Sequence, residues 1–226
     1  MTVFPSATRV RDLESVEELL QRPLTTVRRI TVATVAPTSG APMLGRLLAR
    51  SLARHRTGRI LYTTPDWEQY PSPSPDRLED APRGAEPWLR VEGAAWIAAP
   101  ELDDRFFDVA VADAGQAAPE GLSALARSRD ALCLVTPPDR ATAEDAIALA
   151  EQLAREGRRV VIAFDHTRAG RMSWARAVSP RLLAPALTLE RDPGLANPRV
   201  TLGSRAALAV AGLAGMLMSD VPGVPR

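Results

Sequence analysis

Apolar positions along the chain alternate between two rhythms. Short β-branched or apolar runs, bounded by Gly, Pro or charge, are separated by stretches where Leu and Ala return every three or four positions. The runs predict strands at Ile30–Val35, Arg59–Thr63, Leu89–Ala98 with Gly93 as a break, Phe107–Ala112, Ala131–Thr136, Arg159–Phe164 and Leu187–Leu189. The stretches predict helices at Asp12–Leu20, Met43–His55, Gly121–Ser128 and Ser204–Met218, and one capped by Asp139 that runs to Glu156. Pro23, Gly58 and Gly157 supply the stops. Strand, loop, helix and strand from Ile30 to Thr63 form a βαβ unit, so its two strands should be parallel. The whole alternation implies an α/β fold, a mostly parallel sheet with helices on both faces.

Residues 1–27 read as an N-terminal helical extension, 28–218 as one α/β domain and 219–226 as a flexible tail. The segment 67–88, WEQYPSPSPDRLEDAPRGAEPW, is rich in proline and reads as a long, extended surface loop. Strands resume directly after it, so it is not a domain boundary. There is no internal repeat.

Composition removes several function classes. In 226 residues, 28 basic side chains face 27 acidic ones, and a net charge of +1 argues against constitutive nucleic-acid binding. A single cysteine, Cys133, excludes an internal disulfide framework and any multi-cysteine metal site. No run approaches the roughly 20 apolar residues of a spanning helix. MTVFPSATRVRDLE is broken by Arg and acidic residues and is not a secretory signal, so a cytoplasmic location is expected. The C-terminal AALAVAGLAGMLM lacks a basic face and reads as a helix packed on the sheet. Most restrictive, the chain has no lysine, because all 28 of its basic side chains are arginines. No chemistry that needs a lysine amine can occur here in cis.

Ligands of a parallel α/β sheet bind beyond the carboxyl ends of its strands. Those ends carry Pro37 to Met43 (PTSGAPM), Thr64-Pro65-Asp66, Asp113-Ala114-Gly115, Asp165-His166 and Glu190-Arg191-Asp192-Pro193. Carboxylates therefore gather on one edge, which could hold a divalent cation or a phosphate–magnesium complex.

Order and spacing from about Arg28 to Met218 resemble the MinD/ParA group of P-loop ATPases. RRITVATVAPTSGAPMLGRLLARSLA is similar to the group's first strand, phosphate loop and first helix. RILYTTPD is similar to its second strand, FDVAVADAG to its magnesium-side strand, ALCLVTPPDRATAEDA to the strand and helix that follow, and LERDPGLA to its adenine-flanking loop. The lead-in QRPLTTVRRITV resembles that of ATPase domains associated with type VII secretion.

The departures from that pattern bear on function. The group's loop reads K-G-G-x-G-K-T, with one lysine crossing a dimer interface, a second along the phosphates and a Thr hydroxyl on magnesium. Here the first lysine becomes Pro37 and the two glycines Thr38 and Ser39. The third glycine is Gly40 or Ala41, the second lysine is Pro42 or Ala41, and the Thr is Met43. Pro42 also removes a backbone donor from the cradle. Among the retained positions, the resemblance assigns Asp66 to the attacking water, Asp113 to magnesium, Asp165 to a base-reading site, and Asp192 and Pro193 to the adenine loop. The first Asp of the group's strand-two pair is Thr64.

Phosphoryl transfer depends on cationic stabilisation of the transition state, so these losses imply a pseudo-ATPase. No cofactor is expected, with ATP and magnesium possible only if the degenerate site still binds. The resemblance implies a homodimer, or a heterodimer with an active ATPase relative, serving secretion, pilus, division or partition machinery through protein contacts. One alternative is an active ATPase in which Asp66 and Asp113 work and Arg46 replaces the lysine. Another is a DNA-binding partition accessory using Arg168, Arg171, Arg176 and Arg181. His55 and His166 stand without metal-ligand spacing, and Cys133 reads as a buried hydrophobe.

Overall fold

Strands that are apolar on both faces are stable only when both faces are covered, and this chain satisfies that requirement in three layers. The computed structural model describes residues 16–36, 40–137, 140–165, 175, 178–190, 192–193 and 202–219. Eight strands form one sheet: β1 (Arg28–Thr34), β2 (Ile60–Thr63), β3 (Arg90–Glu92), β4 (Ala95–Ala98), β5 (Val109–Gln116), β6 (Ala131–Thr136), β7 (Val160–Asp165) and β8 (Ala186–Leu189). Their order is β3-β4-β2-β5-β1-β6-β7-β8, parallel throughout except that β3 pairs antiparallel with β4. Among the described residues, the helices with defined limits are α1 (16–21), α2 (Ala41–His55), α3 (Pro75–Leu78), α4 (Pro119–Ser128), α5 (Arg140–Arg155) and α6 (Ser204–Met218).

Leucines of α2 and α6, such as Leu44, Leu48, Leu213 and Leu217, bury one sheet face together with Ile30, Val32, Val109 and Val111. On the other face, Leu122 of α4 and Leu149 and Leu153 of α5 cover Leu132, Leu134, Ile162 and Phe164. A smaller cluster around Leu61, Leu89, Trp96 and Phe107 covers the β4 side. Leu20 of α1 is fully buried, and Arg56 donates to the carbonyls of Leu20 and Arg22, so the described part of the extension packs on the domain.

Most predicted elements stand, and α6 has the predicted limits. The differences have local causes. Gly93 (φ +60) breaks 89–98 into the β3–β4 hairpin, as expected. The loop 67–88 is not uniformly extended; it holds turns at Trp67–Gln69, Pro75–Leu78 and Glu86–Trp88, and in the last two a proline pre-organised for a first helical turn stands at the start. The strand predicted to end at Ala112 continues to Gln116 through a bulge, where Val32 pairs with Asp113 but Ala33 with Gly115 (φ +58). Asp113 therefore lies within β5, not beyond it. Asp165 likewise ends β7, in register with Leu189 of β8.

Tyr62 is the large side chain that seats α2 on the sheet. It is fully buried, and its hydroxyl donates to the Pro42 carbonyl at 3.0 Å. A Cβ at Gly45 would lie 2.9 Å from Tyr62 Cε2. Helix propensity alone favours Gly45→Ala by about 1 kcal/mol, but the fully buried tyrosine ring would have to shift to admit the methyl group. Gly45→Ala is expected to lower stability in urea melts in spite of that gain. Equal or higher stability would contradict this account of how α2 is seated.

Candidate functional site

The carboxyl edge of the sheet is built around the start of α2. An α-helix begins with four N–H groups lacking intrahelical partners and with a partial positive charge. Gly40 is the cap residue and offers no side chain, no acidic residue stands in the first turn, and Pro42 has no N–H. The group that answers this end comes from β7. Gly40 N–H donates to Asp165 Oδ2 at 3.0 Å, and Asp165 is 4% exposed. A Cβ at Gly40 would lie 2.8 Å from that oxygen and 2.9 Å from Met43 Cε. Met43, which the sequence resemblance aligns with a magnesium-ligating hydroxyl, is half-buried and packs against the α2–α6 core. Ala41 is buried and Pro42 exposed, while Pro37, Thr38 and Ser39 lie outside the described residues.

Next to this end lies a polar cluster on β2 and β5. Burial is the main cause that raises the Asp113 carboxyl above the usual carboxylate range; Asp66 adds to it, while Gly115 N–H and the Tyr62 hydroxyl oppose it. The Gly115 N–H donates to Asp113 Oδ1 at 2.9 Å. Burial also pushes the Tyr62 hydroxyl far up, with Asp113 next in effect. Asp66 is exposed in the turn after β2, and its N–H donates to Thr64 Oγ1 at 3.4 Å. The two aspartates repel each other and no lysine stands between them. Arg46, the candidate stand-in cation, is turned to the sheet edge. Its Nε lies 3.7 Å from Glu92 Oε2, and Arg50 Nη1 donates to Glu92 Oε1 at 3.2 Å.

Asp192 repeats the arrangement of Asp165 at a second helix. The cap residue of α6 is Gly203, with no side-chain cap and no acidic residue in the first turn. Its N–H donates to Asp192 Oδ2 at 3.0 Å, and a Cβ there would lie 2.6 Å from the same oxygen. Pro193 is exposed beside it. His166, Arg168, Arg171 and Arg176 lie outside the described residues, and Arg181 is exposed in the turn Ser179–Arg181. Burial pushes the Cys133 thiol up to about 12, which removes it as a nucleophile at neutral pH. Among the described residues, no group of three or more His, Cys, Asp or Glu side chains could hold a metal ion.

On the opposite face, a cavity of about 440 Å³ opens over the short side chains Thr31, Thr63, Ala110 and Ala112. At one end of it, Arg29 grips Asp104 through two hydrogen bonds of 2.7 and 2.8 Å. Sequence reasoning missed this cavity, which owes its space to small residues. It also missed Tyr62, because a tyrosine in an apolar strand looks like ordinary core.

The fold these elements make is that of the MinD/ParA P-loop ATPases. Pyrococcus furiosus cell division ATPase MinD superposes with a TM-score of 0.58 at 14% identity, over 84% of this chain and 97% of its own. MinD in the MinC:MinD cell division complex of Aquifex aeolicus gives 0.58 at 14%, over 88% and 99%. A ParA family ATPase from Chlorobium tepidum TLS gives 0.54 at 12%, over 84% and 98%. No protein-family model and no curated protein sequence matches the chain. Among the described residues, no helix is long and apolar enough to cross a membrane.

The buried Asp113 gives a sign-definite expectation. A carboxyl raised in the folded state binds its proton more tightly there than in the unfolded chain. Its stabilising contribution is complete below the unfolded value and is lost as pH rises through the raised folded value. Asp113→Asn, which keeps an acceptor for Gly115 N–H, should therefore melt higher than wild type at pH 7. The difference should close on acidification below the carboxylate range. A gap that does not change with pH would contradict the assignment.

Proposed function

We propose that this chain is a catalytically inactive relative in the MinD/ParA mould, a cytoplasmic pseudo-ATPase that works through protein contacts as a regulatory, positioning or scaffold subunit. The observation that carries the reading is the start of α2. There Pro42 and Met43 replace the lysine and hydroxyl of a phosphate loop, and the Gly40 N–H is already held by Asp165. A negative side chain at that N–H repels phosphate, and the chain has no lysine to offset it. Arg46 does not take the lysine's place: its Nε lies 3.7 Å from Glu92 Oε2, toward the sheet edge.

A role in protein contacts draws support from the fold and from the surface. A MinD of similar fold is solved in complex with MinC. Trp88 is 57% exposed, its ring centre 6.5 Å from that of Trp67, and Arg90 lies over Trp67 at 4.7 Å. Tryptophan and arginine are the residue types that most often carry binding energy at protein interfaces. The partner is a second copy or an active ATPase relative, in secretion, pilus, division or partition machinery.

Calorimetric titration with Mg-ATP and Mg-ADP, with light scattering on the same samples, tests this reading. No binding heat at millimolar nucleotide and an unchanged mass are expected. Micromolar, magnesium-dependent binding that alters the mass would overturn the reading.

A further inference from the structure

We propose that Asp165 and Asp192 are built-in anions, which hold α2 and α6 on the sheet without any bound phosphate. The proposal rests on the pseudo-ATPase reading and extends it to what replaces the nucleotide. Helix N-termini attract anions through their unpaired N–H groups and their dipole. Both helices lack the usual local answer: each is capped by a glycine, with no side-chain cap bond and no acidic residue in the first turn. In both, a carboxylate from outside the helix accepts the cap N–H at 3.0 Å. In both, a Cβ on the glycine would displace that carboxylate, coming within 2.8 Å of Asp165 Oδ2 or 2.6 Å of the more exposed Asp192 Oδ2.

The consequence is architectural. α2 and α6 pack together on one sheet face, with Leu44, Leu47 and Leu48 beside Val210, Leu213 and Leu217 in a single core. Asp165 is delivered by β7, 125 residues along the chain from Gly40, and so ties the far half of the sheet to the start of α2. In a nucleotide-dependent domain, such a tie would come and go with the phosphate. Here it is covalently part of the chain, and the edge is closed permanently.

Anion rescue tests this. Asp165→Ala and Asp192→Ala remove the carboxylate and leave room for a free anion. Asp165→Asn and Asp192→Asn keep an acceptor in place without the charge. Melting is followed in inorganic phosphate, in sulfate and in chloride at matched ionic strength. In chloride each alanine variant should melt roughly 2–6 °C below wild type, the loss of one helix cap in a domain of this size. Phosphate or sulfate should restore part of that loss in the alanine variants, and have no effect beyond chloride on wild type or the asparagine variants. Unchanged melting, or a loss that phosphate does not restore, would overturn the proposal, as would equal stabilisation of wild type by phosphate. If an alanine variant does not fold, Gly40→Ala or Gly203→Ala, which displace the same carboxylate sterically, should reproduce its chloride loss, and unchanged melting there counts against the proposal. Nucleotide binding to wild type would sink the pseudo-ATPase reading by itself, whereas the rescue pattern is read from the variants.

Discussion

An α-helix that starts at the carboxyl edge of a parallel sheet points its positive end at open space, and something negative must meet it. In this chain that something is Asp165. The contact with Gly40 N–H fixes where α2 begins and why Gly40 has no side chain. It also joins β7 to the helix that buries the central strands. Removing the carboxylate would leave an N–H unpaired at a largely buried position, an arrangement proteins avoid.

Once that end is closed from within, the neighbouring groups read as packing in place of chemistry. Met43 is half-buried and packs against the core shared by α2 and α6. Tyr62 fills the space between β2 and the first turn of α2, and its hydroxyl satisfies the Pro42 carbonyl. Arg46 and Arg50 converge on Glu92 and pin α2 to the edge strand β3. Asp113 and Asp66 lie close enough for Asp66 to raise the Asp113 carboxyl further, and no basic side chain is among the groups that shift it. Burial makes the Asp113 carboxylate unfavourable.

How much of this was legible follows from the range of each interaction. Apolar runs announced the strands because a parallel sheet buries both faces, and the Leu and Ala rhythm placed α6 at Ser204–Met218. The limits that moved were set by pairing. Asp165 became strand because Leu189 of β8 stands opposite it, and Asp113 because Gly115 accommodates a bulge. Prolines in 67–88 suggested an extended loop, but three of its turns form with proline or aspartate at their starts. The loss of the lysines was plain in the sequence. What replaced them was not, since Asp165 meets Gly40 across 125 residues and no local pattern encodes that contact.

The central claim is that the start of α2 is complete without nucleotide. Hydrogen exchange at the Gly40, Ala41 and Met43 amides, with and without millimolar Mg-ATP, measures it most directly. Gly40 N–H is expected to be protected in the free protein, and none of the three should change on adding nucleotide. Rapid exchange at Gly40 that slows when Mg-ATP is added would contradict the account, because phosphate and not Asp165 would then be the group that closes the helix.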